Sequence, residues 1–288
     1  MAQNIFWLGA HKTGTTFLQK SLDRSASVLQ AWNVHYMPLD SFRTKYTRPL
    51  LNNGGGVAAP NEFRPDAVGV NLVFDENIPA LVQHVSQREG VYMSGPERAL
   101  KMAAHLEFHQ PVLVLGIRSF HGYLPSLYCE TLKANPFKPF REFLRTPLGN
   151  LRWYPWVKAL QHAFPGARMR VYPYEALWGN ETRLLSEITG IPAAEFTLKE
   201  GVERPGFSQR AIDTLMELHR QGGVERAQQR AAVKQFPKGA EYPGFQPWTA
   251  EEIAHLKQEY ARDIANLRFD STIEFLLDDG LTPKVTQP

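Results

Sequence analysis

Ile5-Phe6-Trp7-Leu8-Gly9-Ala10-His11-Lys12-Thr13-Gly14-Thr15-Thr16-Phe17-Leu18-Gln19 is the stretch on which the fold turns. A short apolar run of strand length enters a loop of small residues and hydroxyls, and a helical pattern takes over from Thr15. Gly9 and Gly14 permit a tight turn and close approach of the backbone. A helix beginning there directs its unpaired N–H groups and the positive end of its dipole into the loop. The expected occupant is an anion, and a phosphate suits it best.

Outward from this segment, strand-length apolar runs alternate with longer segments of helical period. That pattern predicts an α/β chain: three layers, with a central parallel sheet between helices. The expected strands are 4–10, 33–37, 91–94, 111–118 and 169–174. Val112-Leu113-Val114-Leu115-Gly116-Ile117 is apolar without alternation, as in a strand buried on both faces. Helices are expected over 15–24, 75–88, 123–133, 156–163, 181–189, 208–220 and 250–267. Residues 40–66, rich in Gly, Pro, Asn and Arg, predict a long mobile excursion suited to a lid or acceptor loop. A second irregular stretch is expected at 235–248, and residues 207–280 should form a helical C-terminal part. No internal repeat is present.

Composition narrows the function classes. The 288 residues are 43% hydrophobic and 21% charged, with a net charge of +3. A core of good size is affordable, and the weak basic balance suits a small anionic ligand better than nucleic acid. The single cysteine, Cys129, excludes an intramolecular disulfide framework and fits a reducing compartment. The first residues lack a signal-peptide pattern, and no apolar run approaches the ~20 residues of a membrane helix. A soluble cytoplasmic protein without a membrane span is therefore expected, with oligomeric state open and a homo-oligomer allowed. His105 and His109 share a face if their segment is helical, but no carboxylate pattern supports a metal site.

The loop departs from the nucleoside-triphosphatase pattern, because Thr15 stands where that pattern needs lysine. The lysine is Lys12, inside the loop, where it can reach a bridging oxygen beyond a 5′-phosphate. A second anion contact is predicted at Arg118, at the end of the central strand, with Ser126 eight residues on. In doubly wound sheets, ligands bind beyond the carboxyl ends of the strands. There a guanidinium and a hydroxyl can share one phosphate.

The segment His11-Lys12-Thr13-Gly14-Thr15-Thr16, followed by Ile117-Arg118 and Ser126-Leu127-Tyr128, resembles the 5′-phosphosulfate loop and the 3′-phosphate motif of the sulfotransferases. The likeness is to the bacterial and carbohydrate-type members. Phe164 to Leu177, with its Tyr174-Glu175-Ala176-Leu177 ending, is similar to a later strand of that family. His121-Gly122 stands where members often carry a second arginine. The resemblance implies a sulfotransferase fold akin to the P-loop nucleoside triphosphatases, spanning 1–288 as one domain. The implied donor is 3′-phosphoadenosine 5′-phosphosulfate (PAPS), with adenosine 3′,5′-bisphosphate (PAP) as product and no metal required. Lys12, Thr13, Gly14, Thr15, Thr16, Arg118 and Ser126 would hold the donor, and Arg204 and Gly206 would belong to a loop closing over it. Lys12 would stabilise the leaving oxygen. Glu97, after the expected strand 91–94, is the leading base and His11 the second candidate. The acceptor would be a hydroxyl or amine of a glycan, lipid or small metabolite. A kinase or triphosphatase of related fold, and a non-catalytic nucleotide-binding module, are the competing expectations.

Overall fold

The computed structural model describes residues 2–52, 56–64, 68–201 and 206–278. Its centre is a six-stranded sheet of β1 (Gln3–Gly9), β2 (Val34–Tyr36), β3 (Val70–Phe74), β4 (Val112–Ile117), β5 (Met169–Pro173) and β6 (Ile273–Phe275). The order is β2-β3-β1-β4-β5-β6 and every pairing is parallel.

Successive β1 side chains divide between the faces, since strand side chains alternate. Ile5 and Trp7 join Leu18 and Leu22 of helix Thr15–Arg24 and Leu184, Leu185 and Ile188 of helix Glu181–Thr189. Phe6 and Leu8 join the opposite core with Tyr123, Leu124 and Leu127 of helix Phe120–Ala134 and Trp156 and Leu160 of helix Tyr154–Ala163. All six residues of β4 are buried, as its unbroken apolar run predicts. The α/β class and the helix–sheet–helix layering therefore follow from the apolar pattern.

This topology positions the ligand end of the sheet. β1 and β4 are neighbours, yet the helix after β1 covers one face and the helix after β4 covers the other. The chain thus leaves two adjacent strands in opposite directions, which opens a crevice at their carboxyl ends. The loop after β1 and Arg118 after β4 both lie there.

Several expected elements differ. Val91–Ser94 is not a strand: Val91 makes one antiparallel bridge to Ser86, Tyr92 turns through a φ of 55°, and Ser94 begins helix Gly95–His105. The strand beside β1 is instead β3, whose interior Asn71 masked its apolar character. Asn71 is buried because its carboxamide bonds Asn4 Oδ1 (2.8 Å) and the Arg64 carbonyl (3.1 Å). The helix expected over 75–88 is absent. Pro79 interrupts it, and only Val82–His84 forms a 3₁₀ turn, while Ile78 and Val85 still reach the core. Residues 39–51, expected to begin a mobile excursion, form consecutive helical turns whose Phe42 and Tyr46 are core residues. The C-terminal part adds β6 to the sheet besides its helices Gln209–Arg220, Arg226–Gln235 and Ala250–Phe269. His105 ends its helix and bonds the Ala59 carbonyl (2.8 Å), so His109 lies beyond any shared helical face. No helix among the described residues is long and apolar enough to cross a membrane.

Trp7 stacks on Phe74 of the neighbouring strand, with ring centroids 3.9 Å apart and planes 2° from parallel. Replacing it empties a fully enclosed site. Trp7→Ala should lower the unfolding free energy by about 3–5 kcal/mol, measured by urea denaturation.

Candidate functional site

The loop between β1 and helix Thr15–Arg24 is docked from three sides. Ala10 N–H donates to the Gly116 carbonyl on β4 (2.9 Å), and the Thr13 hydroxyl closes the turn on the Ala10 carbonyl (2.6 Å). Gly14 caps the helix with a φ of 84°, and a side chain there would run into Leu177 at 2.4 Å. Gly9 has a φ of 91°, and its missing Cβ would lie 2.7 Å from Glu76 Cβ. Both positions therefore demand glycine.

This geometry leaves the helix start uncapped. The first helical bond runs from Leu18 N–H to the Gly14 carbonyl, and no described residue accepts from the backbone N–H groups of Lys12 through Phe17. Thr15 is buried and Thr16 exposed, and neither hydroxyl has a partner among the described residues. Thr13 is different: its hydroxyl is spent on the turn, so only its N–H can serve a ligand.

Arg118 approaches the same loop. Its Nη1 donates to the Lys12 carbonyl (3.0 Å), its guanidinium lies 4.3 Å from the centre of the Tyr174 ring, and no described carboxylate pairs with it. The two expected anion contacts therefore touch through the Lys12 carbonyl instead of standing apart. Trp153 Nε1 fixes the strand end by donating to the Arg118 carbonyl (2.7 Å), and Glu175 accepts from Ser119 N–H (3.0 Å) and the Tyr260 hydroxyl (2.6 Å). Trp153 is thus a buried support, and Glu175 is scaffold.

Helix Phe120–Ala134 connects these groups along one face. Gly122, Ser126 and Glu130 recur every fourth residue and so lie one above another. A Cβ on Gly122 would sit 3.3 Å from Arg118 Nη2, while Glu130 Oε2 accepts from Lys12 Nζ at 3.1 Å. Ser126 lies between these two contacts. The structure thus gathers Lys12, Arg118 and Ser126 with the open N–H row. Burial opposes ionisation of Glu130, but Lys12 and Lys133 hold its carboxyl below the usual range. Gly206 accepts from Lys238 N–H (3.3 Å) and packs on that side chain. Burial pushes the Cys129 thiol up to about 12, against the charges of Lys238, Lys12 and Lys133. Arg204 lies outside the described residues.

The carboxylate against the loop is Glu76, at the end of β3. Glu97 is exposed in the first turn of helix Gly95–His105 and faces a separate cavity with Ser94 and Lys101. Glu76 follows a strand whose apolar pattern Asn71 interrupts, so its place against the loop carries no signal in consecutive residues. Asp75 and Glu76 form a buried pair served by one guanidinium. Arg43 Nε and Nη2 donate to Asp75 Oδ1 (2.9 and 2.7 Å), and Nη2 also reaches Glu76 Oε1 (3.1 Å). Thr47 donates to Asp75 Oδ2 (2.7 Å) and Gln19, from the loop helix, to Glu76 Oε2 (2.9 Å). Burial raises the Asp75 carboxyl despite Arg43. Burial opposes the charge of Glu76 most strongly, but Arg43, His11, a backbone N–H and Gln19 together outweigh it and lower the carboxyl. Asp75 occupies the position where a triphosphatase would need a metal ligand, but Arg43 and Thr47 already engage both its oxygens.

His11 is sealed beneath the loop. Its Nδ1 bonds the Tyr92 hydroxyl (2.8 Å), which continues to the Tyr123 hydroxyl (2.8 Å) and also accepts from His11 N–H (3.0 Å). The Asn77 carboxamide is satisfied when its nitrogen donates to His11 Nε2 (3.0 Å) and its oxygen accepts from Arg43 Nε and Nη2 (3.3 and 3.2 Å). Both imidazole nitrogens are therefore engaged. Burial lowers the His11 pKa, with Glu76 opposing.

Two stability measurements check this arrangement. Arg43→Ala leaves two buried carboxyls without their cation and should cost about 3–5 kcal/mol at neutral pH. The deficit should shrink as pH falls, because carboxyls raised further by burial then take up protons. For His11, a folded pKa below the ordinary 6.5 means that the unfolded chain binds the proton first. Wild-type stability relative to His11→Gln should be greatest above about pH 6.5 and decline below it, read from urea midpoints across pH. No family model, curated protein or solved structure matches this chain.

Proposed function

We propose that the chain is a sulfotransferase that moves a sulfuryl group from PAPS to an acceptor hydroxyl or amine, on a fold of the P-loop-like sulfotransferase type. One observation carries the reading: an uncapped helix start and its loop present unpartnered N–H groups beside Lys12, Arg118 and Ser126, at the crevice where β1 and β4 send their connections apart. Two cations and a row of N–H donors suit a ligand with phosphates at more than one position.

In this mechanism the loop N–H groups from Lys12 to Phe17, with Thr15 and Thr16, hold the 5′-phosphosulfate. Arg118 and Ser126 take the 3′-phosphate. The acceptor oxygen bonds to sulfur as the bond from sulfur to the bridging oxygen breaks, and Lys12 stabilises the charge arriving on that oxygen. To do so, Lys12 leaves Glu130, so donor binding exchanges an internal carboxylate for the ligand's phosphate. Glu76, ionised and packed on the loop, takes the acceptor proton in the role first given to Glu97, its Oε2 exchanging the Gln19 carboxamide for the acceptor hydroxyl while Arg43 stays on Oε1. His11 serves as a buried support, since both its nitrogens are occupied.

A kinase or triphosphatase reading would need Asp75 free for a metal ion, and Arg43 engages it. Equilibrium binding separates the two: PAP should bind more tightly than ATP with magnesium, and the reverse preference would exclude the sulfotransferase. In transfer of labelled sulfate from PAPS, Lys12→Ala should lower kcat by about 10²–10³ with modest loss of donor binding. Arg118→Ala should weaken PAP binding by about 10–100-fold. Unchanged values for both would remove these roles.

A further inference from the structure

A cavity of about 1030 Å³ lies away from the donor loop, between helix Gly95–His105, the helical turns ending at Leu51 and the segment 80–89. Its wall carries Arg88, Arg98, Lys101 and Arg145 against Glu89 and Glu97, so four cations face two carboxylates and a surplus of two positive charges remains. None of the four cations forms an ion pair with a described residue.

Arg98 is the informative member. A guanidinium withdrawn from water ordinarily meets a carboxylate. Here its Nε, Nη1 and Nη2 donate only to the carbonyls of Ile78 (2.8 Å), Leu51 (2.6 Å) and Asn77 (3.0 Å). Carbonyl dipoles hold the group in place without cancelling its charge, so the wall keeps a fixed positive centre. Burial lowers its pKa, with the Asp75 carboxylate opposing without pairing to it. The Asn77 carbonyl also ties the cavity to the transfer site, because the Asn77 side chain bonds His11, the neighbour of Lys12. Among the described lining residues His84 carries the one aromatic ring, and charged side chains outnumber the uncharged hydrogen-bonding ones (Asn52, Ser86, Gln87 and Ser94), which favours a charged ligand.

We propose that this cavity anchors the charged part of the acceptor, apart from the oxygen that reacts at Lys12 and Glu76, and that it selects an acceptor carrying at least two carboxylate or phosphate groups, held by Arg88, Lys101 and Arg145 around Arg98. Calling it the acceptor site rests on the transferase reading; its selectivity for anions does not. Lys101 and Arg145 are exposed, so their replacement leaves the core intact.

Binding to the full chain is measured by calorimetry at low salt with three probes: trigalacturonate, glucose 1,6-bisphosphate and neutral maltotriose. PAP binding is followed in parallel. At least one anionic probe should bind, maltotriose should not, and Lys101→Ala/Arg145→Ala should weaken the anionic probe by about tenfold while leaving PAP affinity unchanged. The anion that binds more tightly identifies carboxylate or phosphate as the natural group. Equal binding of maltotriose, absence of binding by both anions, or an unchanged affinity in the double variant overturns the proposal. Anion binding lost in the variant, with no PAP binding in either protein, upholds the anion site and overturns the transferase reading.

Discussion

A single guanidinium shared by two buried carboxylates organises the ligand end of this protein. Asp75 and Glu76 emerge from β3 directly beside β1, where the sheet offers no water. Two adjacent carboxylates there would repel each other and lose hydration, so a cation must reach them from elsewhere in the chain. Arg43 supplies it, from helical turns whose Phe42 and Tyr46 are anchored in the core. The dependent contacts spread outward from that pair. Gln19 ties the loop helix to Glu76, Gly9 gives up its Cβ to let Glu76 approach, and Asn77 carries the cluster to His11 on one side and Arg98 on the other.

With that support in place, the loop can hold a conformation that isolated peptide would not favour. Lys12 itself has a φ of 58°, a left-handed conformation uncommon for a side-chain-bearing residue. The turn is stabilised by Ala10 on β4, Thr13 within the loop and Arg118 on the Lys12 carbonyl. Its N–H groups from Lys12 to Phe17 keep their hydrogen-bonding capacity unspent among the described residues. Preorganisation of this kind lets a phosphate bind without first reordering the backbone. Glu130 meanwhile holds the Lys12 ammonium near the helix face that carries Ser126, so the cation is kept close by a contact a phosphate can displace.

Much of this was legible along the chain because it is encoded in local patterns. The β1 loop, the helix from Thr15 to Arg24 and the central strand β4 each have an unbroken signature in consecutive residues, and the structure gives that helix the same limits. The pairing of Lys12 with Arg118 across the crevice followed from the rule that ligands meet strand ends where connections diverge. The surroundings of Glu76 show the limit. Asn71 interrupts β3, and the amphipathic spacing of Ile78 and Val85 imitates a helix that Pro79 prevents, so the position of Glu76 against the loop was not legible. Glu130 and Lys238 carried no motif, because each acts only through what the fold sets beside it.

The amino-acid sequence by itself determined the layered α/β class and the loop from Gly9 to Gly14, since alternation, apolar runs and glycine dihedrals act over a few neighbouring residues. Only the tertiary structure decided which carboxylate reaches that loop, which arginine neutralises it and which cations form no ion pair with a described carboxylate. Those outcomes depend on residues 28 to 118 positions apart meeting in a low-dielectric interior or at a shared helix face, where charge and desolvation are set by the whole surrounding chain.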